Sequence, residues 1–182
     1  MAGSLGKYYD QVKAGRVFIG STAAAGTASP VSTGTAVTFG LWNTSSNKNA
    51  VLLYVNIGYT SGTIALGSFG LSNQYCGFAL ATAAPLSAFT AGTPKNALLG
   101  SGNASAMLFT PSGATLTAGG TSLLTFKSGK ASATAALGDI NGIGYDFDGS
   151  VIVTPGQLVF VSSSVAQTAL YTMAMAWAEV PA

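Results

Sequence analysis

Three of the five acidic residues crowd into one stretch, Asp139, Asp146 and Asp148 within Gly138-Asp-Ile-Asn-Gly-Ile-Gly-Tyr-Asp-Phe-Asp-Gly-Ser150. Asp139 and Asn141 followed by Gly144 begin like a calcium loop, but Ile143 stands at the fifth position and Ser150 at the twelfth, where an EF-hand needs oxygen ligands and a bidentate Glu. A calcium site of another kind on Asp146 and Asp148 is a separate reading. So is a glycosidase pair: residues i and i+2 of a strand share a face about 6.6 Å apart, and paired carboxyls act across roughly 5–10 Å. Nothing else in the sequence supports hydrolysis. Turn chemistry accounts for the cluster more simply, with Asp-Gly accepting left-handed geometry and Asp capping its own backbone.

The rest of the inventory excludes more than it offers. With no histidine, neither a Ser-His-Asp nor a Cys-His arrangement can form. The commonest zinc and copper ligand is absent too, and the single Cys76 can build neither a thiolate metal site nor an internal disulfide. Cys76 reads as a small buried apolar side chain. Ser128-Gly129-Lys130-Ala131 lacks the upstream Gly of a P-loop and the Ser or Thr after Lys, and Gly142-Ile143-Gly144 begins a GxGxxG match that Phe147 breaks. The expectation is a non-enzymatic protein with no cofactor and no metal.

Only 7% of the 182 residues are charged, against roughly a quarter in ordinary globular chains, so the surface must be made of Ser, Thr, Asn, Gly and small apolar groups. A net charge of +2 from seven scattered cations makes no phosphate-tracking stripe, so no nucleic-acid partner is expected. No apolar window of about 18 residues is free of Gly, Ser, Thr or Asn, so no spanning helix and no membrane partner are expected. The first residues place Lys7, Tyr8, Tyr9, Asp10, Lys13 and Arg16 where a signal peptide needs its apolar segment, which points to synthesis in a cytoplasm without Sec export.

The elements carrying these residues read as strands. Asn49–Thr60 alternates, with Val51, Leu53, Val55, Ile57 and Tyr59 on one face. Ala169–Val180 puts Tyr171, Met173, Met175 and Trp177 on one side and Leu170, Thr172, Ala174, Ala176 and Ala178 on the other, the pattern of a central strand packed on both faces. Shorter candidates are 16–20, 36–42, 62–71, 76–81, 121–126, 151–153 and 157–163, with Pro155-Gly156 as a tight turn between the last two. Trp42 and Trp177 sit in strand-like apolar stretches and are expected in the core, although exposed aromatics could also stack on sugar rings. The stretches 21–35 and 83–120 read as long contact loops. About nine short strands divided by turn signals predict an all-β fold, an antiparallel β-sandwich that is jelly-roll-like, over a single domain at 16–182.

Residues 1–15 precede the first convincing strand as an arm. Leu5, Tyr8, Tyr9 and Val12 have the spacing of a turn or two of helix, with Ser4 as its N-cap, or else the arm is flexible. It holds aromatic anchors and cations that can order against a partner while adding little to a sandwich core. The partner-binding residues expected here are Leu5, Lys7, Tyr8, Tyr9, Lys13 and Arg16, docking on a larger assembly or a neighbouring copy.

Thr38-Phe-Gly-Leu-Trp-Asn43, followed by Asn47-Lys-Asn-Ala-Val-Leu-Leu-Tyr-Val-Asn-Ile-Gly-Tyr-Thr-Ser-Gly-Thr63, resembles small structural proteins of tailed bacteriophages. In these an LWNP-type strand end precedes a polar turn, a Lys-Asn pair and a long apolar strand closed by Ser-Gly-Thr. Trp177-Ala-Glu-Val-Pro181 is similar to their closing strand. Thr44 departs from the pattern, standing where a Pro is usual. The resemblance implies a virion protein, foremost a head decoration or cement protein with a jelly-roll body, bound to the major capsid protein on the capsid surface and made in the host cytoplasm. A head fibre, tail or capsid subunit is the alternative, and a carbohydrate- or receptor-binding sandwich module a further one. A charge-poor surface forms extensive interfaces at little electrostatic cost, and a homotrimer is the symmetric solution suited to a threefold lattice position.

Overall fold

The computed structural model describes residues 6–31, 34–65, 67–79, 86–129 and 143–182. Short apolar bursts separated by Gly, Pro and Asn make short strands, and the two sustained alternations make the longest ones. The chain runs through helix α1 (Tyr9–Lys13), then β1 (Val17–Ser21), β2 (Thr27–Ala28), β3 (Ala36–Val37), β4 (Gly40–Trp42), β5 (Lys48–Ser61) and β6 (Gly67–Tyr75). Four short strands follow: β7 (Leu86–Phe89), β8 (Lys95–Asn96), β9 (Leu108–Thr110) and β10 (Ala114–Leu116). The chain closes with β11 (Thr121–Gly129), β12 (Ile143–Val153), β13 (Gln157–Ser163) and β14 (Leu170–Pro181).

Two antiparallel sheets face each other. One has the order β12-β5-β14-β1-β8, with β2 also on β14, and the other β11-β6-β13-β4-β9. Along the chain β1, β5, β12 and β14 fall in the first sheet and β4, β6, β11 and β13 in the second, the eight-strand order of a jelly roll. As expected, β14 is central, between β5 and β1. Its Tyr171, Met173, Met175 and Trp177 are buried with Leu41, Leu71 and Phe109 from the opposite sheet. Trp177 stacks at 6.2 Å on both Phe18 and Phe109, and Phe39 meets Phe109 edge-on at 5.1 Å. Trp42 is also buried, its indole N–H donating to the Gly77 carbonyl at 2.9 Å.

Several local expectations are corrected. Where β5 pairs with β14 the register shifts between Ala176 and Trp177, leaving one extra residue on β5. Ala50, Leu52, Val55 and Ile57 therefore enter the core, while Leu53 belongs to a cluster on the outer face with Val51 and Tyr54 beside it. The 36–42 segment is two strands: Val37 joins a third sheet and Leu41 the second, because the chain crosses between them at Thr38, whose hydroxyl donates to the Ala28 carbonyl. Residues 62–65 precede β6 as a turn, with Gly62 at φ 96, and residues 76–79 follow it without strand structure. Strand β12 begins at Ile143, well before the expected 151. Gly156 takes the expected positive φ of 81.

The long stretches hold more structure than contact loops would. Thr27–Ala28 pairs with β14. Within 83–120, β8 extends the first sheet beyond β1, β9 extends the second beyond β4, and β10 pairs with β3 on one side and β7 on the other as the third sheet. This third sheet lies on the outside of the second, burying Val37, Leu86, Ala114 and Leu116 with Trp42, Cys76, Leu158 and Phe160. Two- and three-residue strands are too short to display a period of two, so the sequence gives them no signature.

Gly20 in β1 faces the core, where an added Cβ would lie 2.7 Å from the Phe109 ring. Gly20→Ala should overpack this stack and cost about 2 kcal/mol. Thermal melting followed by circular dichroism should show a drop of roughly 4–8 °C with the native β-rich spectrum retained below it.

Candidate functional site

The N-terminal segment lies against the outer face of the first sheet. Its five-residue helix carries Asp10 in the first turn and Lys13 in the last, both complementary to the helix dipole, and caps at Ala14 and Gly15. Tyr8, at the N-cap position, makes no side-chain cap hydrogen bond, and Ser4 lies outside the described residues. Tyr8 and Val12, one turn apart, pack on a buried patch of Val17, Leu53, Ala176 and Ala178. The alanine face of β14 thus has its explanation: small side chains there let a helix come close.

Lys7 fixes the outer end of the segment. Its amine lies 2.7 Å from Asp146 Oδ2 and 3.0 Å from Asp148 Oδ1, and the Tyr8 hydroxyl donates to Asp146 Oδ1 at 3.1 Å. The Asp148 backbone N–H donates to the same Asp146 oxygen at 2.9 Å. These acids are not the regular i, i+2 pair of a strand. Between Asp146 and Val151 the pairing with β5 is interrupted, and Asp148 and Gly149 take φ 50 and 78, so the edge strand bulges and both carboxylates turn onto one lysine. The Asp-Gly turn chemistry read from the sequence is what forms there. Asp139 lies outside the described residues, and among those described no group of three His, Cys, Asp or Glu is placed to hold a metal ion.

The expected partner-binding residues therefore have different placements. Lys7 and Tyr8 are engaged on the protein's own β12, Tyr9 and Lys13 face solvent, and Arg16 is exposed at the root of the segment. Leu5 lies outside the described residues. The sequence reading missed that the acidic cluster and the cationic arm meet each other; their opposite charge was the available signal. It also missed Glu179. That carboxylate is buried, accepts from Ser105 Oγ at 2.7 Å and from the Ala106 N–H at 2.9 Å, and pairs with Lys48 at 3.2 Å. It lines a groove of about 540 Å³ with Arg16, Asn47, Lys48 and Asn103.

Electrostatics follow the geometry. The Lys7 amine and then the Asp148 N–H hold the Asp146 carboxyl below its usual range, while the two aspartates and Tyr8 raise Lys7. Burial raises the Tyr8 hydroxyl, and burial alone pushes the Cys76 thiol up to about 11, which keeps it protonated and inert. A lowered carboxylate contributes its stabilisation above its unfolded pKa of about 4 and loses it as pH falls through the folded value; a raised lysine contributes below about 10.4 and loses it as pH rises through its own. Contact between Lys7 and Asp146 therefore spans the neutral range and opens as the pH falls through the lowered Asp146 value.

Two outcomes are expected. Hydrogen exchange at Val12, Ala14 and Arg16, whose N–H groups bond to Tyr8, Asp10 and Gln11 carbonyls, should accelerate relative to Trp177 as the pH is taken from 7 to below the lowered Asp146 pKa, after correction for intrinsic rates. Lys7→Ala should do the same at pH 7, and unchanged protection in both cases would refute the clasp. Glu179→Ala removes the buried acceptor of two half-buried donors and should cost about 2 kcal/mol, a melting shift of roughly 4–8 °C; Glu179→Gln, which keeps one accepting oxygen, should cost less.

Among the described residues no helix is long and apolar enough to cross a membrane. No protein-family model, curated protein or solved structure matches this chain.

Proposed function

We propose that the chain is a non-enzymatic virion structural protein, a head decoration or cement subunit that binds the major capsid protein on the outer capsid surface and stabilises the shell. The observation that carries this reading is a jelly-roll body with almost no charge to desolvate: 7% of residues are charged, and the Lys7 and Lys48 ion pairs already occupy three of the five acids. Large apolar side chains stand exposed around the body, including Leu99 at 91%, Tyr75 at 54% and Phe78 at 47%. Such a surface favours dry, extensive contacts over dispersed monomers. The Trp42-Asn43 and Trp177–Pro181 segments that resemble tailed-phage proteins add a second, independent support. A homotrimer at a threefold position is the assembly this reading takes.

The test uses shells assembled from the coat protein encoded beside this chain's gene. The added protein should co-sediment with them, saturate at hundreds of copies per head and raise the temperature at which the shell opens. Saturation at tens of copies would replace decoration with a fibre, and a monomer that leaves shells unbound while retaining a glycan on an array would replace both with a carbohydrate-binding module.

A further inference from the structure

We infer that the groove at the Glu179 end of the sandwich is a binding site for a single carboxylate group. The site goes beyond the assembly reading above and does not depend on it.

Strand β14 ends between two cations. The Glu179 N–H donates to the Arg16 carbonyl at 2.9 Å on the β1 side, and Pro181 stands opposite Lys48 on the β5 side. Two strand spacings put those backbones about 10 Å apart, so a long side chain from each can close on one group between them. Glu179 is not that group for both. Its Oε1 accepts from Ser105 Oγ at 2.7 Å and the Ala106 N–H at 2.9 Å, and its Oε2 from Lys48 Nζ and the Ala106 N–H, each at 3.2 Å, so its acceptor positions are filled. Lys48 gives it one of three N–H donors. Among the described residues the exposed Arg16 guanidinium has no hydrogen-bond or ion-pair partner at all. Arg16 and Lys48 against Glu179 leave the groove one positive charge in excess, in a chain that has only seven Lys and Arg.

That excess selects the ligand. A cation is repelled, a carboxylate is matched, and a phosphate dianion would bring a second charge with no counterpart beside Glu179. The guanidinium fork takes a carboxylate through two parallel N–H···O bonds, the strong form of this contact. Phe18, Ala104, Val180 and Pro181 supply apolar wall for a carbon stem behind the anionic head, and about 540 Å³ lies within the range of small-ligand sites.

The test is a titration of ¹⁵N-labelled full chain at constant ionic strength, following the Arg16 Nε–H and the Asn47 and Asn103 side-chain amide signals. The probes are butyrate, acetyl-Gly-Glu-Gly-amide, the matching peptide with Gln in place of Glu, and inorganic phosphate. Butyrate and the Glu peptide should move the Arg16 signal saturably, and the Gln peptide should not. The tighter of the two names the source, a free small acid or an acidic side chain of a docked chain. Arg16→Gln changes an exposed side chain and keeps the backbone bonds, so it should retain the native spectrum and weaken binding at least about tenfold. Lys95→Gln removes an exposed cation outside the groove and should leave binding unchanged. Equal weakening by both variants would reduce the effect to general attraction and overturn the site, as would an Arg16 signal unmoved by either acid. Equally tight phosphate would overturn the assignment to a carboxylate.

Discussion

From Met175 to Glu179 strand β14 is buried on both faces, and that constraint organises the rest of the molecule. Its inward side chains, Tyr171 to Trp177, supply the thickest part of the core, where Trp177 stacks with Phe18 from β1 and Phe109 from β9. Three elements far apart in sequence are thereby tied at one point. Its outward Ala176 and Ala178 create the opposite demand, since a nearly bare sheet face has to be covered by something that can come close. A short helix presenting Tyr8 and Val12 meets it with two side chains. The segment is thus part of the sheet's packing and not an appendage to it.

Scarcity of charge gives the few ion pairs unusual weight in specifying geometry. Glu179 sits at the end of β14 with 2% of its side chain exposed, and it gathers Ser105 and Ala106 from the connection between β8 and β9 and Lys48 from the start of β5. Its hydrogen bonds fix where the chain returns toward β9. A buried carboxylate is weak evidence of net stabilisation, because desolvation offsets most of its attraction, but it does determine which backbone groups may occupy the site. Lys7 plays the corresponding part at the surface, where solvent keeps the energy small and the geometry specific.

What the sequence revealed and what it hid divide along physical lines. The β class, the central position of 170–181, the burial of both tryptophans and the Pro155-Gly156 turn each rest on a local pattern long enough to read. The inward face of β5 does not: one extra residue opposite Ala176–Trp177 exchanges Leu53 for Leu52, and a bulge leaves no mark in a run of apolar residues. The strands of 86–116 escape for a different reason, being too short for alternation and built from residues that also make loops. The meeting of Lys7 with Asp146 and Asp148 spans the length of the chain, which no local pattern encodes.

The two open margins of the sandwich are managed differently, and the difference bears on how the molecule meets others. On the β1 and β4 side, the inserted strands β8 and β9 extend both sheets, and the third sheet packs over the second. On the other side β11 and β12 are, among the described residues, the outermost strands of their sheets, the position at which strand addition has to be prevented. Along β12 the ladder is interrupted at 147–150, where the bulge with Asp148 at φ 50 breaks the straight run and two carboxylates stand beside it. The feature that receives Lys7 therefore also blunts the edge. Indiscriminate strand addition at β12 is disfavoured by the same residues that accept one particular segment, so specificity at this margin comes from a single local distortion of the backbone.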